Sequence, residues 1–350
     1  MGFDLPVIAV AFPHIQKRKE EPNASAKMLA DVCEEWLHMK RLIVKQSSYV
    51  KYRTVLSNHV LPILGSLPIE AVNSARINTF IYDKVIHGRL KNSGALSEKS
   101  VRDIYTILKS VLTYAEKEYH LSGIARNTVL PKQHSKSFEI LTVEEQACLE
   151  EYLYEHIMEL RCLGILTCLY TGLRIGEICA LKWEDIDIEE KLLHVNHTLQ
   201  RISHLDPLTR KERTTILIGS PKSATSQRSI PLTASLLTLL EQQKYITQKD
   251  TFVLTNREDY IEPRNFQYFF TSCLKKSGLR PMNFHILRHT FASRCVEAGF
   301  DVKTLSEILG HANTDITLNY YVHSSIGNKR RQMNLLSPSV PLDAQELTFL

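Results

Sequence analysis

The sequence contains no cysteine pattern typical of metal binding or disulfide formation, and no long hydrophobic run. Its seven cysteines are odd in number and include no C-x-x-C pair, which argues against a disulfide framework or a zinc site and favours reduced core residues. No stretch approaches the roughly 18 to 20 uncharged apolar residues of a membrane helix. The apolar run at residues 5–12 is interrupted by Pro6 and follows Asp4 rather than a basic segment, unlike a signal peptide. We therefore expect a cytoplasmic protein without a membrane partner.

Internal repeats and low-complexity tracts are also absent, which argues against a solenoid or a disordered chain. The hydrophobic fraction of 43% and the charged fraction of 23% are those of an ordinary globular protein, and 350 residues are enough for two domains. The net charge of +5 is unevenly placed, because residues 1–140 hold 20 Lys and Arg side chains against 13 Asp and Glu. A basic N-terminal part fits a polyanion such as nucleic acid. A lysine-rich solvated surface is the alternative interpretation.

Hydrophobic periodicity predicts a mainly α-helical protein with a small antiparallel β-sheet. Apolar residues recur at helical spacing from residue 26 onward, and the clearest predicted helix follows Ser97, with Val101, Ile104, Tyr105, Leu108, Val111, Leu112 and Ala115 on one face. Thr142-Val143-Glu144-Glu145 is a capping-box pattern that predicts a new helix. Between Leu192 and Pro231 the pattern changes to short strands separated by polar turns. The predicted divisions are an irregular lead-in, 1–24; a helical domain, 25–120; a linker, 121–140; a mainly helical second domain that holds the sheet, 141–330; and a tail, 331–350.

A first candidate site residue is Arg174, in the run Thr171-Gly172-Leu173-Arg174-Ile175-Gly176-Glu177. Gly172 permits a tight turn before the start of a helix. Glu177 follows one helical turn after the arginine, where its carboxylate can hold the guanidinium group in position. Taken alone, the pattern is equally typical of a surface arginine in an exposed first turn.

A second cluster is His285-Ile286-Leu287-Arg288-His289. His285 and Arg288 are three residues apart and share one face of a helix, while His289 can lie on the same side or pack inward. The H-x-x-x-H spacing can also indicate zinc. However, there is no H-E-x-x-H motif and no third ligand, and an arginine between the two histidines opposes cation binding.

Three further candidates are less specific when each is taken alone. His311 follows Leu309-Gly310, a predicted helix end at which Gly310 supplies the left-handed cap. Tyr321 follows Tyr320, and adjacent side chains on a helix point about 100° apart, so only one can face a given site. Lys222 lies between two predicted strands, where it is either a solvated loop lysine or the proton donor of a loop that enters a DNA groove.

Two arginines, two or three histidines and a tyrosine can together attack a phosphodiester without a metal ion. Arginine forks neutralise and orient phosphate oxygens, histidines move protons near neutral pH, and a tyrosine hydroxyl can be a covalent nucleophile. The lack of a P-loop and of an acidic metal cluster agrees with chemistry that needs neither ATP nor metal. The sequence therefore predicts no cofactor.

Across about residues 26–330 the chain resembles the tyrosine recombinases, and most closely the integrases of phages and conjugative elements. The motifs that carry the resemblance in the second domain are Thr-Gly-Leu-Arg174-Ile-Gly-Glu, Pro-Lys222-Ser with Arg228-Ser-Ile-Pro, His285-x-x-Arg288-His, Leu-Gly-His311 and Tyr321-Val-His. Those in the first domain are Trp36-Leu37, Ser48-Tyr49, Tyr52 and His59-Val-Leu-Pro62-x-x-Gly65. The resemblance implies a helical core-DNA-binding domain and an α+β catalytic domain that close around duplex DNA.

The resemblance also implies a role for each candidate residue. Tyr321 is expected to attack the scissile phosphate, giving a 3′-phosphotyrosine and a free 5′-hydroxyl; Tyr321 is chosen over Tyr320 because the family pattern is Tyr-x-His. The remaining implied roles are phosphate binding by Arg174 and Arg288, proton donation to the 5′-oxygen by Lys222, assistance to tyrosine deprotonation by His285 and donation to the phosphate by His311.

The function expected on this basis is site-specific recombination that integrates and excises a mobile element. A type IB-like topoisomerase and a non-catalytic DNA-binding regulator are the alternatives. The expected partners are double-stranded DNA, three further copies of the chain in a tetramer on two DNA sites, and an accessory directionality or DNA-bending protein. The tail after about residue 327 is the expected contact to a neighbouring protomer.

Overall fold

A computed structural model describes residues 27–90, 94–121, 123, 127–132, 139–203, 214–221, 224–244, 250–321, 330 and 333–334. The chain divides into two compact units, residues 1–134 and 135–350. This division falls within the predicted linker, 121–140, and the lead-in and most of the tail lie outside the described residues. Within the described part of the chain, no helix is both long and apolar enough to cross a lipid bilayer.

The first unit is helical. Its elements are α1 (Leu29–Ile43), α2 (Gln46–Val55), a π-helical segment (Leu56–Val60), α3 (Leu61–Leu64), α4 (Ser74–His87) and α5 (Glu98–Glu118). Ser97 caps α5 by accepting a hydrogen bond from the Ser100 backbone N–H. The apolar face of α5 is buried as the periodicity predicts, through Val101, Ile104, Tyr105, Leu108, Val111, Leu112 and Ala115. This face packs into a core with α1, α4 and the π-helical segment.

The second unit contains the remaining elements. Its helices are α6 (Val143–Glu155), α7 (Leu160–Thr171), α8 (Ile175–Ile178), α9 (Ala234–Lys244), α10 (Pro263–Lys276), α11 (His285–Glu297), α12 (Val302–Leu309) and α13 (Thr314–Tyr321). The predicted capping box is confirmed, because the Thr142 hydroxyl accepts from the Glu145 N–H and the Glu145 carboxylate accepts from the Thr142 N–H. Six of the seven cysteines are buried and all seven are free.

The strands form two antiparallel sheets among the described residues, where the sequence predicts one. β1 (Ile186–Asp187), β2 (Leu192–Val195) and β5 (Arg228–Pro231) form a three-stranded sheet, and β3 (Thr198–Ser203) pairs with β4 (Thr214–Gly219) in a hairpin. Strand β3 is not among the strands that the sequence pattern predicts. Buried and exposed side chains do not alternate regularly along β3. The register of β3 is set by its pairing with β4, which begins more than ten residues later. The predicted fold class, mainly α with a small antiparallel β component, is confirmed.

Helix α11 positions the site, because it packs against α7, α12 and α13. Helix α7 is buried on almost every side at the centre of the second unit's core. A smaller apolar cluster joins α11 to α12 through Ala292, Cys295, Val296, Leu305 and Leu309. The C-terminal ends of α7 and α12 and the N-terminal end of α11 therefore come together around Arg288.

Candidate active site

Arg288 lies at the centre of this region, and its side chain is almost fully buried. Its Nη1 donates to the Gly172 carbonyl at 2.8 Å, and its Nη2 donates to the Leu309 carbonyl at 2.7 Å. A buried guanidinium group needs such partners, because an unpaired buried charge is costly. The two carbonyls belong to the ends of α7 and α12, so Arg288 joins both helix ends.

Both of those helix ends turn through a left-handed glycine. Gly172 has φ +68° and Gly310 has φ +64°, a region that glycine adopts without a steric penalty. A Cβ on Gly172 would approach Phe291 Cδ1 to 2.6 Å, and one on Gly310 would approach Arg228 Cδ to 3.0 Å. The predicted cap at Gly310 is confirmed, and Gly172 forms the tight turn that the sequence indicates before Arg174.

Arg174 directly precedes the single turn of α8 and is partly open to solvent, with 33% of its side chain exposed. Its Nη1 donates to Glu177 Oε1 at 2.7 Å, and its Nη2 donates to the Gly310 carbonyl at 3.2 Å. The expected contact between Arg174 and Glu177 is confirmed. Arg174 and Arg288 thus bind the adjacent carbonyls of Gly310 and Leu309, which brings both guanidinium groups to one turn of the chain.

Glu177 is buried between Arg174 and a third arginine, Arg228. Arg228 Nη2 donates to Glu177 Oε2 at 2.9 Å, its Nε donates to the Ile308 carbonyl at 2.6 Å, and its side chain is only 6% exposed. Burial raises the pKa of Glu177, but the neighbouring Arg228 and Arg174 guanidinium groups outweigh it, so the net shift is downward. Two guanidinium groups share the Glu177 carboxylate, and Arg288 adds a third positive charge nearby, so the site keeps a net positive charge suited to an anion.

The structural role of Arg228 was not predicted, because the residue entered the sequence-based prediction only as part of a motif. A usable signal was present, because Arg228 and the buried Ile230 are two residues apart on β5. Alternate residues of a strand point to the same face. The alternation of side chains along β5 therefore places Arg228 on the same face as Ile230, toward the core, where an arginine needs a buried partner.

His311 lies directly after the turn that receives both arginines. Its Nε2 is 2.8 Å from Arg288 Nη2, and its Nδ1 is 2.8 Å from Thr317 Oγ1. Arginine can only donate, so Nε2 is the acceptor and the ring proton lies on Nδ1, from which it is donated to Thr317. Burial, followed by the positive charges of Arg288 and Arg174, lowers the pKa of His311 to about 4. The ring is therefore neutral near pH 7.

His285 begins α11 at the exposed side of the site. Desolvation by the surrounding protein, followed by the positive charges of Arg288 and Arg174, lowers its pKa. His289 is half-buried, and its ring meets that of His285 edge-on with centroids 5.5 Å apart. Burial, followed by the charges of His285 and Arg288, lowers the pKa of His289 to about 4. His289 therefore lies beside His285, and its ring is neutral near pH 7.

The two remaining predicted site residues have no described side chain. Lys222 lies outside the described residues. The backbone of Tyr321 ends α13, but its side chain and that of Tyr320 are outside what the structure describes. The structure therefore brings together Arg174, His285, Arg288 and His311, and it places the helix that carries the two tyrosines against α11 and α12.

Comparisons with known proteins cover most of the chain. Residues 140–327, more than half of the sequence, match the phage integrase family, and residues 28–84 match the N-terminal SAM-like domain of phage integrases. A tyrosine recombinase XerC-like protein of Caldanaerobacter subterraneus subsp. tengcongensis is 29% identical over 84% of this chain and 79% of its own length. The ICEBs1 integrase of Bacillus subtilis is 26% identical over 92% of this chain and 90% of its own. The transposase from transposon Tn916 of Enterococcus faecalis is 27% identical over 71% of this chain, which spans 56% of that relative.

Solved structures support the same fold. The Tn1549 transposon integrase in complex with transposon right end DNA has a TM-score of 0.73 and 21% identity, covering 89% of this chain and all of that one. A lambda integrase tetramer bound to a Holliday junction has a TM-score of 0.60 and 18% identity, covering 87% of this chain and 82% of that one. At these identities the likeness describes the fold: a helical N-terminal unit and a mixed C-terminal unit.

Proposed function

The chain belongs to the phage integrase family and is a tyrosine recombinase, and on that premise we propose that six of its residues carry out DNA strand transfer on a mobile element. The residues are Arg174, Lys222, His285, Arg288, His311 and Tyr321. The observation that carries the proposal is the meeting of the two arginines. Arg174 and Arg288 are 114 positions apart in the sequence, yet they donate to the adjacent carbonyls of Gly310 and Leu309.

The first chemical step is an attack of Tyr321 on the scissile phosphate. A bond forms between the tyrosine oxygen and phosphorus, and the bond from phosphorus to the 5′-oxygen breaks. Tyrosine is mostly protonated at pH 7 because its ordinary pKa is about 10. His285 has a lowered pKa, so its neutral ring can take the tyrosine proton. Lys222 gives a proton to the departing 5′-oxygen.

The arginines act on the charge that grows in the transition state. Arg174 and Arg288 bind the non-bridging phosphate oxygens, and preorganised donors of this kind are often the largest single contribution to catalysis. A bound phosphate also raises the pKa of His311, because a nearby negative charge favours the imidazolium form. Protonated His311 then donates from Nε2 to the phosphate. Religation is the reverse reaction with a new 5′-hydroxyl, so neither ATP nor a metal ion is consumed.

The assembly that we propose follows from the same chemistry. Complete exchange between two duplexes breaks four strands, and each chain supplies one nucleophilic tyrosine, so four copies act on two DNA sites. The basic N-terminal part of the chain supports contact with the DNA backbone. We further propose a cytoplasmic location, a contact from the tail at residues 331–350 to a neighbouring protomer, and an accessory directionality or DNA-bending protein.

The test of the proposed function is a nicked suicide duplex that carries the end of the element, incubated without Mg²⁺ or ATP. Covalent adducts are resolved on a denaturing SDS gel, with Tyr321→Phe and Tyr320→Phe beside the wild type. We expect an adduct that disappears only in Tyr321→Phe. Loss only in Tyr320→Phe would reassign the nucleophile. A protein that binds this DNA specifically but forms no adduct would be a non-catalytic regulator. In a separate assay, relaxation of supercoiled DNA that lacks a cognate site would indicate a topoisomerase.

A further inference from the structure

Thr317 is an unusual buried residue on α13. Its side chain is fully buried, whereas its apolar neighbours Ile316 and Leu318 are 47% and 45% exposed. Helices of globular proteins ordinarily show the reverse arrangement, with apolar residues inside and polar residues outside. A buried hydroxyl group needs a hydrogen-bond partner, and for Thr317 this partner is His311 Nδ1 at 2.8 Å.

The direction of this hydrogen bond follows from the groups on either side. Arg288 occupies His311 Nε2 as a donor at 2.8 Å, so the Nδ1 proton of His311 is donated to the Thr317 hydroxyl. When His311 becomes doubly protonated, Nδ1 still carries its proton. Thr317 therefore remains the acceptor in both states of the ring.

Through this bond, α13 is connected to the arginines. The sequence of contacts begins at the Gly172 and Leu309 carbonyls, passes through Arg288 and His311, and ends at Thr317. Thr317 lies one helical turn before Tyr321 on α13. A displacement of His311 is thus transmitted to the helix that carries the nucleophile.

We propose that Thr317 is a positioning residue that docks the tyrosine-bearing helix by accepting the Nδ1 proton of His311. The inference rests on the proposed function, since it assumes that Tyr321 attacks a phosphate held by Arg174 and Arg288. Thr317 does not touch the phosphate. Its contribution is to hold α13 and His311 in one geometry, so that the nucleophile helix stays aligned with the arginines.

The experiment measures the single-turnover rate of adduct formation at saturating suicide duplex. The variants are Thr317→Val, which removes the hydroxyl and keeps the shape, and Thr317→Ser, which keeps the hydroxyl. The matched control is Thr314→Val, because Thr314 is an exposed threonine of the same helix. We expect Thr317→Val to be about 3- to 10-fold slower, the range of one hydrogen bond. Thr317→Ser should remain within about twofold of the wild type, and Thr314→Val should be unchanged.

A double-mutant cycle separates positioning through His311 from a general packing role. In a His311→Ala background, Thr317→Val should change the adduct rate by less than about twofold, because the partner is already gone. Equal slowing in both backgrounds, slowing by Thr317→Ser as large as by Thr317→Val, or a wild-type rate in Thr317→Val would each overturn the proposal.

Amide hydrogen exchange of the DNA-free protein gives a readout that does not depend on cleavage. Residues 314–321 should exchange faster in Thr317→Val and His311→Ala than in the wild type, Thr317→Ser and Thr314→Val. If the wild type forms no adduct, the proposed function fails, and the exchange data still decide whether Thr317 docks α13. Unchanged exchange in both Thr317→Val and His311→Ala would refute the docking role.

Discussion

Replacing Glu177 by glutamine tests the central electrostatic feature of the site. Glu177 is 3% exposed, and its carboxylate accepts hydrogen bonds from Arg174 at 2.7 Å and from Arg228 at 2.9 Å. Glutamine has nearly the same shape but no charge, and one end of its amide is an N–H₂ donor. In Glu177→Gln, that donor faces a guanidinium group, which can only donate as well. Arg228, with 6% of its side chain exposed, then retains its charge without a counter-ion.

The expected loss of stability in Glu177→Gln follows from the burial of the ion pair between Glu177 and Arg228. Removing one partner of a buried ion pair costs about 3–5 kcal/mol, because the other charge is left uncompensated. For a unit of roughly 200 residues, each kcal/mol shifts the melting temperature by about 2–4 °C. We therefore expect Glu177→Gln to melt about 6–20 °C below the wild type.

Thermal unfolding followed by circular dichroism measures this difference. The matched control is Glu297→Gln, because Glu297 forms an ion pair with Arg294 at the same i,i+3 spacing but is 50% exposed. Such surface pairs contribute about 1 kcal/mol or less, so the control should melt less than about 4 °C below the wild type. The double variant Glu177→Gln/Arg228→Gln removes the unpaired charge and should recover part of the loss. Equal melting temperatures for Glu177→Gln and Glu297→Gln would refute this account of the buried charges.

Two further predictions concern proton transfer and acid stability. Lys222→Ala should cleave an ordinary duplex slowly but regain the wild-type rate on a duplex with sulfur at the bridging 5′ position, because a thiolate leaves without a proton. The surface control Lys303→Ala should match the wild type on both duplexes. If sulfur does not restore the cleavage rate of Lys222→Ala, Lys222 is not the general acid. The pKa values of His289 and His311, each lowered to about 4, mean that the unfolded state binds more protons between about pH 4 and 6.5. Stability to urea should therefore fall as the pH decreases through this window, less steeply in His311→Gln, and a flat wild-type profile would contradict both lowered values.

Local signals predicted much of the helical structure. The periodic apolar face of α5 and the caps at Ser97 and Thr142 depend on residues three or four positions apart, so they can be identified in a sequence without its fold. Strand β3 could not be identified in this way. Its six residues acquire a defined register only from β4, which lies across the hairpin.

The candidate site was predictable in its residue types but not in its connections. The resemblance named Arg174, Arg288 and His311, yet their shared turn depends on contacts across 136 positions for Arg174 and Gly310 and 21 for Arg288 and Leu309. The role of Thr317 was likewise invisible, because a threonine on a short helix carries no local sign of a buried partner. Lys222 and Tyr321 stay predictions, since their side chains are outside the described part of the chain.

The arginines of this site are held largely by main-chain oxygens, those of Gly172, Leu309 and Gly310. Every amino acid carries the same carbonyl group, so no substitution at Leu309 can delete the acceptor itself. Only a change in the path of the backbone can remove it. The positions of Arg174 and Arg288 thus depend on the course of the backbone, which turns at Gly172 and Gly310, and the side chain of Leu309 can change while both arginines keep their acceptors.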